Sequence, residues 1–103
     1  MAATFHVFTT PEGATRVTIE GDLDTVATPG LRDQVQTLLS RQPQRLEVDL
    51  SQLRTIDSSG VGLLVSLYKG TKAHGGQVTI TDLRDQPLAI IRLLKLDRAL
   101  LNG

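Results

Sequence analysis

Cysteine and tryptophan are both absent from this chain of 103 residues. Without thiols it can build no disulfide framework, no thiolate metal site and no thiol nucleophile, a composition that suits a reducing cytoplasm. Aromatic residues are scarce: Phe5, Phe8 and Tyr68 are the full set, too few to stack bases along a nucleic-acid groove. An excess of either charge is missing as well. Eleven basic and eleven acidic side chains cancel, and no lysine cluster supplies a local patch, so no field draws the chain to nucleic acid or to an anionic membrane. No apolar run approaches a bilayer span, and Met1-Ala2-Ala3-Thr4-Phe5-His6 has neither the basic start nor the apolar stretch of a signal peptide. A cytoplasmic protein is expected. At this length the chain is expected to form a single domain over residues 1–103, able to bury roughly 65% of its extended surface.

What is present is periodic. Phe5 and Val7 alternate with polar residues, and Val17 and Ile19 do the same beyond Pro11-Glu12-Gly13, a reversing turn, so the first two strands form an antiparallel hairpin. Thr28-Pro29 offers a cap and a first-turn proline for a helix whose Leu31, Val35, Leu38 and Leu39 share a face and which ends before Pro43. Residues 46–50 alternate as a third strand, residues 59 to about 73 form a second helix, residues 77–81 a fourth strand, and residues 85–96 a third helix capped by Asp85, with Pro87 in its first turn. The apolar stripe of that helix, Leu88, Ile90, Ile91, Leu93 and Leu94, is expected to pack against the sheet, with membrane or dimer contact as the other reading. Because every strand alternates instead of reading as a continuous apolar run, helices should cover one face only. The fold class is therefore α/β, a small mixed sheet of antiparallel hairpin plus parallel strands, and a doubly wound nucleotide-binding layout is excluded.

Chemistry concentrates in Arg54-Thr55-Ile56-Asp57-Ser58-Ser59-Gly60-Val61-Gly62, where two hydroxyls, a carboxylate and two glycines meet just as an apolar helix begins. A hydrolase elbow would need glycine two residues either side of its serine, and Asp57 occupies the first such place around Ser59. Gly60-Val61-Gly62 opens a dinucleotide fingerprint that Val65 then breaks. His6 in a strand and His74 in a turn have no ligand-like spacing to an acidic cluster, so no metal or cofactor is expected. Two readings stand for each residue. Ser58 and Ser59 can cap the helix, Ser59 being the better placed, or Ser58 can face outward as a regulatory hydroxyl. Gly60 and Gly62 serve either local packing or close approach by another protein, and Asp57 is a solvated turn carboxylate or a group that orients the Ser58 hydroxyl. Asp22 and Asp24, at the exit of the second strand, read as turn and capping residues.

Residues 48–51, Asp57-Ser58-Ser59-Gly60-Val61-Gly62 and Tyr68-Lys69 closely resemble the centre of the bacterial anti-sigma factor antagonists, members of the STAS group. Gly21-Asp22-Leu23-Asp24 resembles the family's Gly-acidic-Leu-Asp signature, and Gly75-Gly76 followed by Val78-Thr79-Ile80 its next strand entry. The resemblance implies a STAS-like fold and a binding protein, not an enzyme. It implies that Ser58 is phosphorylated by a partner that is both anti-sigma factor and serine kinase, that only the unphosphorylated form binds this partner and frees sigma factor, and that a serine phosphatase restores it. Asp24, Asp57, Ser58, Ser59, Gly60, Val61 and Gly62 would form the partner-binding surface of a monomer or weak dimer. The alternative within the same fold is a subunit of a lipid-transport ATPase complex or of a stress-sensing assembly, a binding role without a phospho-switch.

Overall fold

The computed structural model describes residues 3–101. Its elements run β1 (Thr4–Thr9), β2 (Thr15–Leu23), α1 (Thr28–Ser40), β3 (Arg45–Asp49), β4 (Leu53–Ile56), α2 (Ser58–Ala73), β5 (Gln77–Thr81), α3 (Asp85–Leu93) and α4 (Asp97–Leu101). The hairpin forms as expected: β1 and β2 pair antiparallel, closed by Thr10 N–H donating to the Ala14 carbonyl at 2.8 Å. β3 lies parallel to β2 and β5 parallel to β3. This puts Val7 opposite Val17, Val17 beside Val48 and Val48 beside Ile80, one apolar row across four strands. Val17 and Val48 are fully enclosed, and each such side chain contributes about 1.5–3 kcal/mol when buried.

The opposite face is polar and open. There Arg16 donates to Glu47 Oε1 at 2.9 Å and to Asp49 Oδ2 at 3.1 Å, a half-buried surface arrangement that contributes about 1 kcal/mol per pair. The covered face receives Leu31, Val35 and Leu38 of α1 together with Leu63, Leu64 and Leu67 of α2, α1 lying beside α2. The mixed sheet backed by helices on one face is thus the architecture that the alternating strands required.

Several expectations need correction. A fifth strand, β4, was not legible; it pairs parallel with the last residues of β2, across a register shift between Gly21 and Asp22. Gly21 has φ +92°, a conformation that favours glycine, and this bulge lets β2 run beside β3 over residues 15–18 and beside β4 over residues 21–23. Thr28 does not cap α1. The cap position is Ala27, without a side-chain bond, while buried Thr28 turns its hydroxyl back to the Asp24 carbonyl. Asp85 does not cap α3 either: Arg84 holds that position, also without a side-chain bond, and Asp85 opens the helix at φ +55°. The third helix stops at Leu93, and α4 follows as a separate element. Of the expected stripe only Ile91 is fully buried, with Pro87 beside it; Leu88 and Ile90 are half-buried, and Leu93 and Leu94 are exposed. The alternating faces of a single helix over residues 85–96 are broken by the turn at Lys95, whose φ is +59°.

Candidate functional site

The site forms where β2 and β4 end side by side and hand the chain on to α1 and α2. Gly21-Asp22-Leu23-Asp24 divides the work. After the Gly21 bulge, Asp22 turns its carboxylate to β4: Arg54 Nε donates to Oδ1 at 3.1 Å, Arg54 Nη2 to Oδ2 at 2.6 Å and the Thr55 hydroxyl to Oδ1 at 2.7 Å. The Arg54 guanidinium first, and the Thr55 hydroxyl second, hold the Asp22 carboxyl well below the usual carboxylate range. Leu23 is fully buried, and its carbonyl accepts Asp57 N–H at 3.2 Å. Asp24 Oδ1 accepts Val26 N–H at 3.1 Å and Ala27 N–H at 2.9 Å, the turn chemistry expected of it.

From the other side, Asp57 is the N-cap of α2, which corrects the solvated-carboxylate reading and the expectation that Ser59 caps. Asp57 Oδ1 accepts Gly60 N–H at 3.1 Å, while Oδ2 accepts Thr25 N–H at 3.0 Å and the Thr25 hydroxyl at 3.1 Å. Its carboxyl is held below the ordinary value chiefly by the Gly60 N–H, with burial opposing and Thr25 adding to the shift. Ser59 Oγ lies 3.2 Å from the Thr25 hydroxyl, tying the first turn of α2 to the loop after β2 instead of capping the helix. Ser58, the first residue of α2, is exposed, and its hydroxyl has no hydrogen-bond partner among the described residues.

The glycines separate into two kinds. Gly60 is buried, and a Cβ there would overlap the Leu23 carbonyl oxygen and lie 2.6 Å from Ile56 Cγ1, so packing requires it. Gly62 is exposed with nothing within 4 Å of a Cβ position, so packing makes no demand for it. Val61 is buried in the core. A residue that sequence reasoning missed, Gln86, completes the frame: Ile56 N–H donates to its Oε1 and its Nε2 donates to the Ile56 carbonyl, both at 2.9 Å. The amide thereby stands in for a neighbouring strand at β4, one residue before Asp57. Thr25 was also missed, since only the pairing of β2 with β4 brings it to Asp57, 32 positions away.

A family model described as "Mlab, STAS domain" matches residues 6–102. The chain belongs to the STAS domain family. This STAS domain is 30% identical over 82 residues to the anti-sigma-B factor antagonist of Bacillus subtilis (strain 168), covering 80% of this chain and 72% of that protein. Its fold matches the crystal structure of an anti-sigma factor antagonist from Mycobacterium paratuberculosis with a TM-score of 0.84, 23% identity and coverage of 95% of this chain and 82% of that one. A Thermotoga maritima protein described as a "putative anti-sigma factor antagonist" superimposes with a TM-score of 0.80 at 19% identity, over 94% of this chain and 83% of that chain. Among the described residues of this STAS domain no group of three or more histidines, cysteines or acidic residues is placed to hold a metal ion, and no helix is long and apolar enough to cross a membrane.

Proposed function

We propose that this chain is an anti-sigma factor antagonist whose unphosphorylated form binds an anti-sigma factor that is also a serine kinase, so that sigma factor is released. Phosphorylation of Ser58 ends the binding and a serine phosphatase restores it; the chain is the substrate in this cycle, not an enzyme, and acts in the cytoplasm. The observation that carries the reading is the Ser58 hydroxyl, exposed and unpartnered at the first residue of α2, on an edge held by Asp57, Thr25 and Asp24. The 30% identity to a curated anti-sigma-B factor antagonist supports it.

The geometry also supports a mechanism by charge. The positive end of a helix accepts an anion readily, so a phosphate on Ser58 could be expected to settle there. That place is already occupied: the Asp57 carboxylate takes the Gly60 N–H and fills the cap. A phosphoryl group brings about −1.5 to −2 charges beside a carboxylate kept ionised, and it remains on the surface that a partner must desolvate. Repulsion and desolvation oppose docking while the fold stays intact. Gly60 and Val61, both buried, shape this surface from beneath; Asp24, Ser58, Ser59 and Gly62 would meet the partner. His74 is no base for Ser58: it sits beyond the far end of the 16-residue α2, about 24 Å along the axis from Ser58, with Nε2 2.6 Å from the Pro43 carbonyl oxygen.

The test is titration of the chain against a purified anti-sigma factor kinase. Ser58→Asp is expected to abolish binding, and Ser58→Ala to bind and resist modification; equal affinity of both variants would refute the switch. A second reading, a STAS subunit of a lipid-transport ATPase complex or of a stress-sensing assembly, is the alternative within the same family. It requires a stable complex with such an ATPase or assembly that phosphorylation of Ser58 leaves unchanged.

A further inference from the structure

Val26 is the most exposed large apolar side chain among the described residues, at 89% of its full accessible area. An apolar side chain in water gains nothing by being held there, yet this one is held. Its own N–H is fixed to Asp24 Oδ1 at 3.1 Å, and the residues on either side are fixed as well. Thr25 is bound through N–H and hydroxyl to Asp57, and Ala27 N–H is bound to Asp24 Oδ1 at 2.9 Å. A mobile loop tip would leave these groups to water. The Thr25 hydroxyl lies 3.2 Å from Ser59 Oγ, so Val26, the next residue, belongs to the loop that is tied to the head of α2, where Ser58 is the first residue.

We infer that Val26 is the apolar anchor of the docking surface around Ser58, seating in an apolar pocket of the protein partner and setting much of the affinity of the unphosphorylated form. The inference rests on the anti-sigma factor antagonist reading. Binding costs free energy for every side chain and loop that must be ordered, and here the backbone is already ordered by its hydrogen bonds while a β-branched side chain has little rotamer freedom to lose. The aromatic residues that most often anchor protein contacts lie elsewhere: Phe5 and Phe8 are on β1 and Tyr68 is well along α2. Arg54, the nearby arginine, is already bound to Asp22. Of the other exposed large apolar side chains among the described residues, Val7 and Phe8 lie on β1 and Leu93 and Leu94 at the far end of α3, so Val26 is the one on the loop tied to the head of α2. Partner chemistry follows: an apolar pocket rimmed by donor groups that face the carboxylates of Asp24 and Asp57, so that one phosphate added at its edge is repelled or left unpaired.

The anti-sigma factor kinases encoded in the same genome, each expressed and purified, are titrated calorimetrically with wild type, Val26→Ala, Val26→Ile, Val26→Asp and Ser58→Asp. Removing two methyl-sized groups from a filled pocket weakens binding by about tenfold for Val26→Ala; Val26→Ile binds within about threefold of wild type, and Val26→Asp loses more than about a hundredfold. Thermal midpoints of the Val26 variants stay close to the wild-type value because the side chain is exposed. Wild-type affinity in Val26→Asp together with lost affinity in Ser58→Asp overturns the anchor and leaves the switch standing. Failure of wild type to bind any of the kinases overturns the underlying reading and the anchor with it.

Discussion

Replacing Gly60 by alanine should destabilise the fold, although alanine is the better helix former. The added carbon would overlap the Leu23 carbonyl oxygen and come within 2.6 Å of Ile56 Cγ1 and 2.9 Å of Leu23 Cγ, where carbon contacts prefer about 3.5–4.0 Å. The carbonyl cannot easily retreat, because it accepts the Asp57 N–H that joins the head of α2 to β2. Overpacking of this kind costs about 1–3 kcal/mol, and obstruction by backbone on one side puts Gly60→Ala near the upper end. The helix-propensity gain is about 1 kcal/mol at most and smaller in a first turn, so a net loss of about 2 kcal/mol remains, roughly 10 °C in midpoint for a domain of this size. Gly62→Ala is the internal control. With nothing within 4 Å of its Cβ it keeps the propensity gain alone, about 0.5–1 kcal/mol, and melts a few degrees higher. Thermal unfolding followed by circular dichroism gives both values, and their difference largely cancels the propensity gain common to both substitutions. A Gly60→Ala midpoint at or above wild type would refute the packing argument.

Acid stability should depend on Asp22. Its carboxyl is held well below the ordinary value when folded, so its contribution is complete above the unfolded value of about 3.9 and is lost as pH falls from there toward the folded value. Urea midpoints taken from pH 7 to pH 2 should therefore fall less steeply in acid for Asp22→Asn; parallel curves would contradict the assignment. Gln86→Ala leaves the Ile56 N–H and carbonyl without their amide partner, costing about 1–3 kcal/mol. Faster hydrogen exchange at the Ile56 amide is the measurement that checks it. Thr25→Val keeps side-chain shape but removes the hydroxyl that reaches Asp57 and Ser59; a loss of about 1 kcal/mol should appear as a lower unfolding midpoint, largely restored in Thr25→Ser.

Much of this architecture was legible because burial here is one-sided. Val17, Ile19, Leu46, Val48, Val78 and Ile80 alternate with polar neighbours, and that alternation alone yields a sheet covered on one face. β4 escaped because it is four residues long and its burial does not alternate: Leu53 and Ile56 are buried while Arg54 and Thr55, adjacent in sequence, are not. Arg54 and Thr55 both serve Asp22, and the register shift at Gly21 makes that possible. The capping residues misled for a related reason. Thr28, Ser59 and Asp85 are good N-cap types by local preference, yet Thr28 turns its hydroxyl back to the Asp24 carbonyl four residues earlier, Ser59 is claimed by Thr25 in another segment, and Arg84 stands at the cap position that local preference gave to Asp85. Asp57, which does cap, was legible as a carboxylate beside the serines; its bond to Thr25 depends on a strand pairing that only the three-dimensional fold supplies.

That interlock bears on how the proposed switch at Ser58 would work. Residues 21–25 and 57–60 are tied by the Leu23 carbonyl, the Asp57 carboxylate and the close approach of Gly60 to Leu23, so a change of shape beneath Ser58 would have to break these contacts. A negative group on an exposed first-turn side chain with no protein bonds to break changes the potential of the surface and little else. Ser58→Asp should accordingly leave amide exchange in β2 and β4 at wild-type rates and leave the unfolding midpoint within about 0.5 kcal/mol equivalent of wild type, the range of ordinary surface substitutions, while binding is lost. Increased exchange at Leu23, Thr25 or Asp57 in that variant would mean that the charge opens the interlock, and the switch would then be conformational instead of electrostatic. The two outcomes differ at amides whose hydrogen bonds are already assigned: Thr25 N–H to Asp57 Oδ2 and Asp57 N–H to the Leu23 carbonyl.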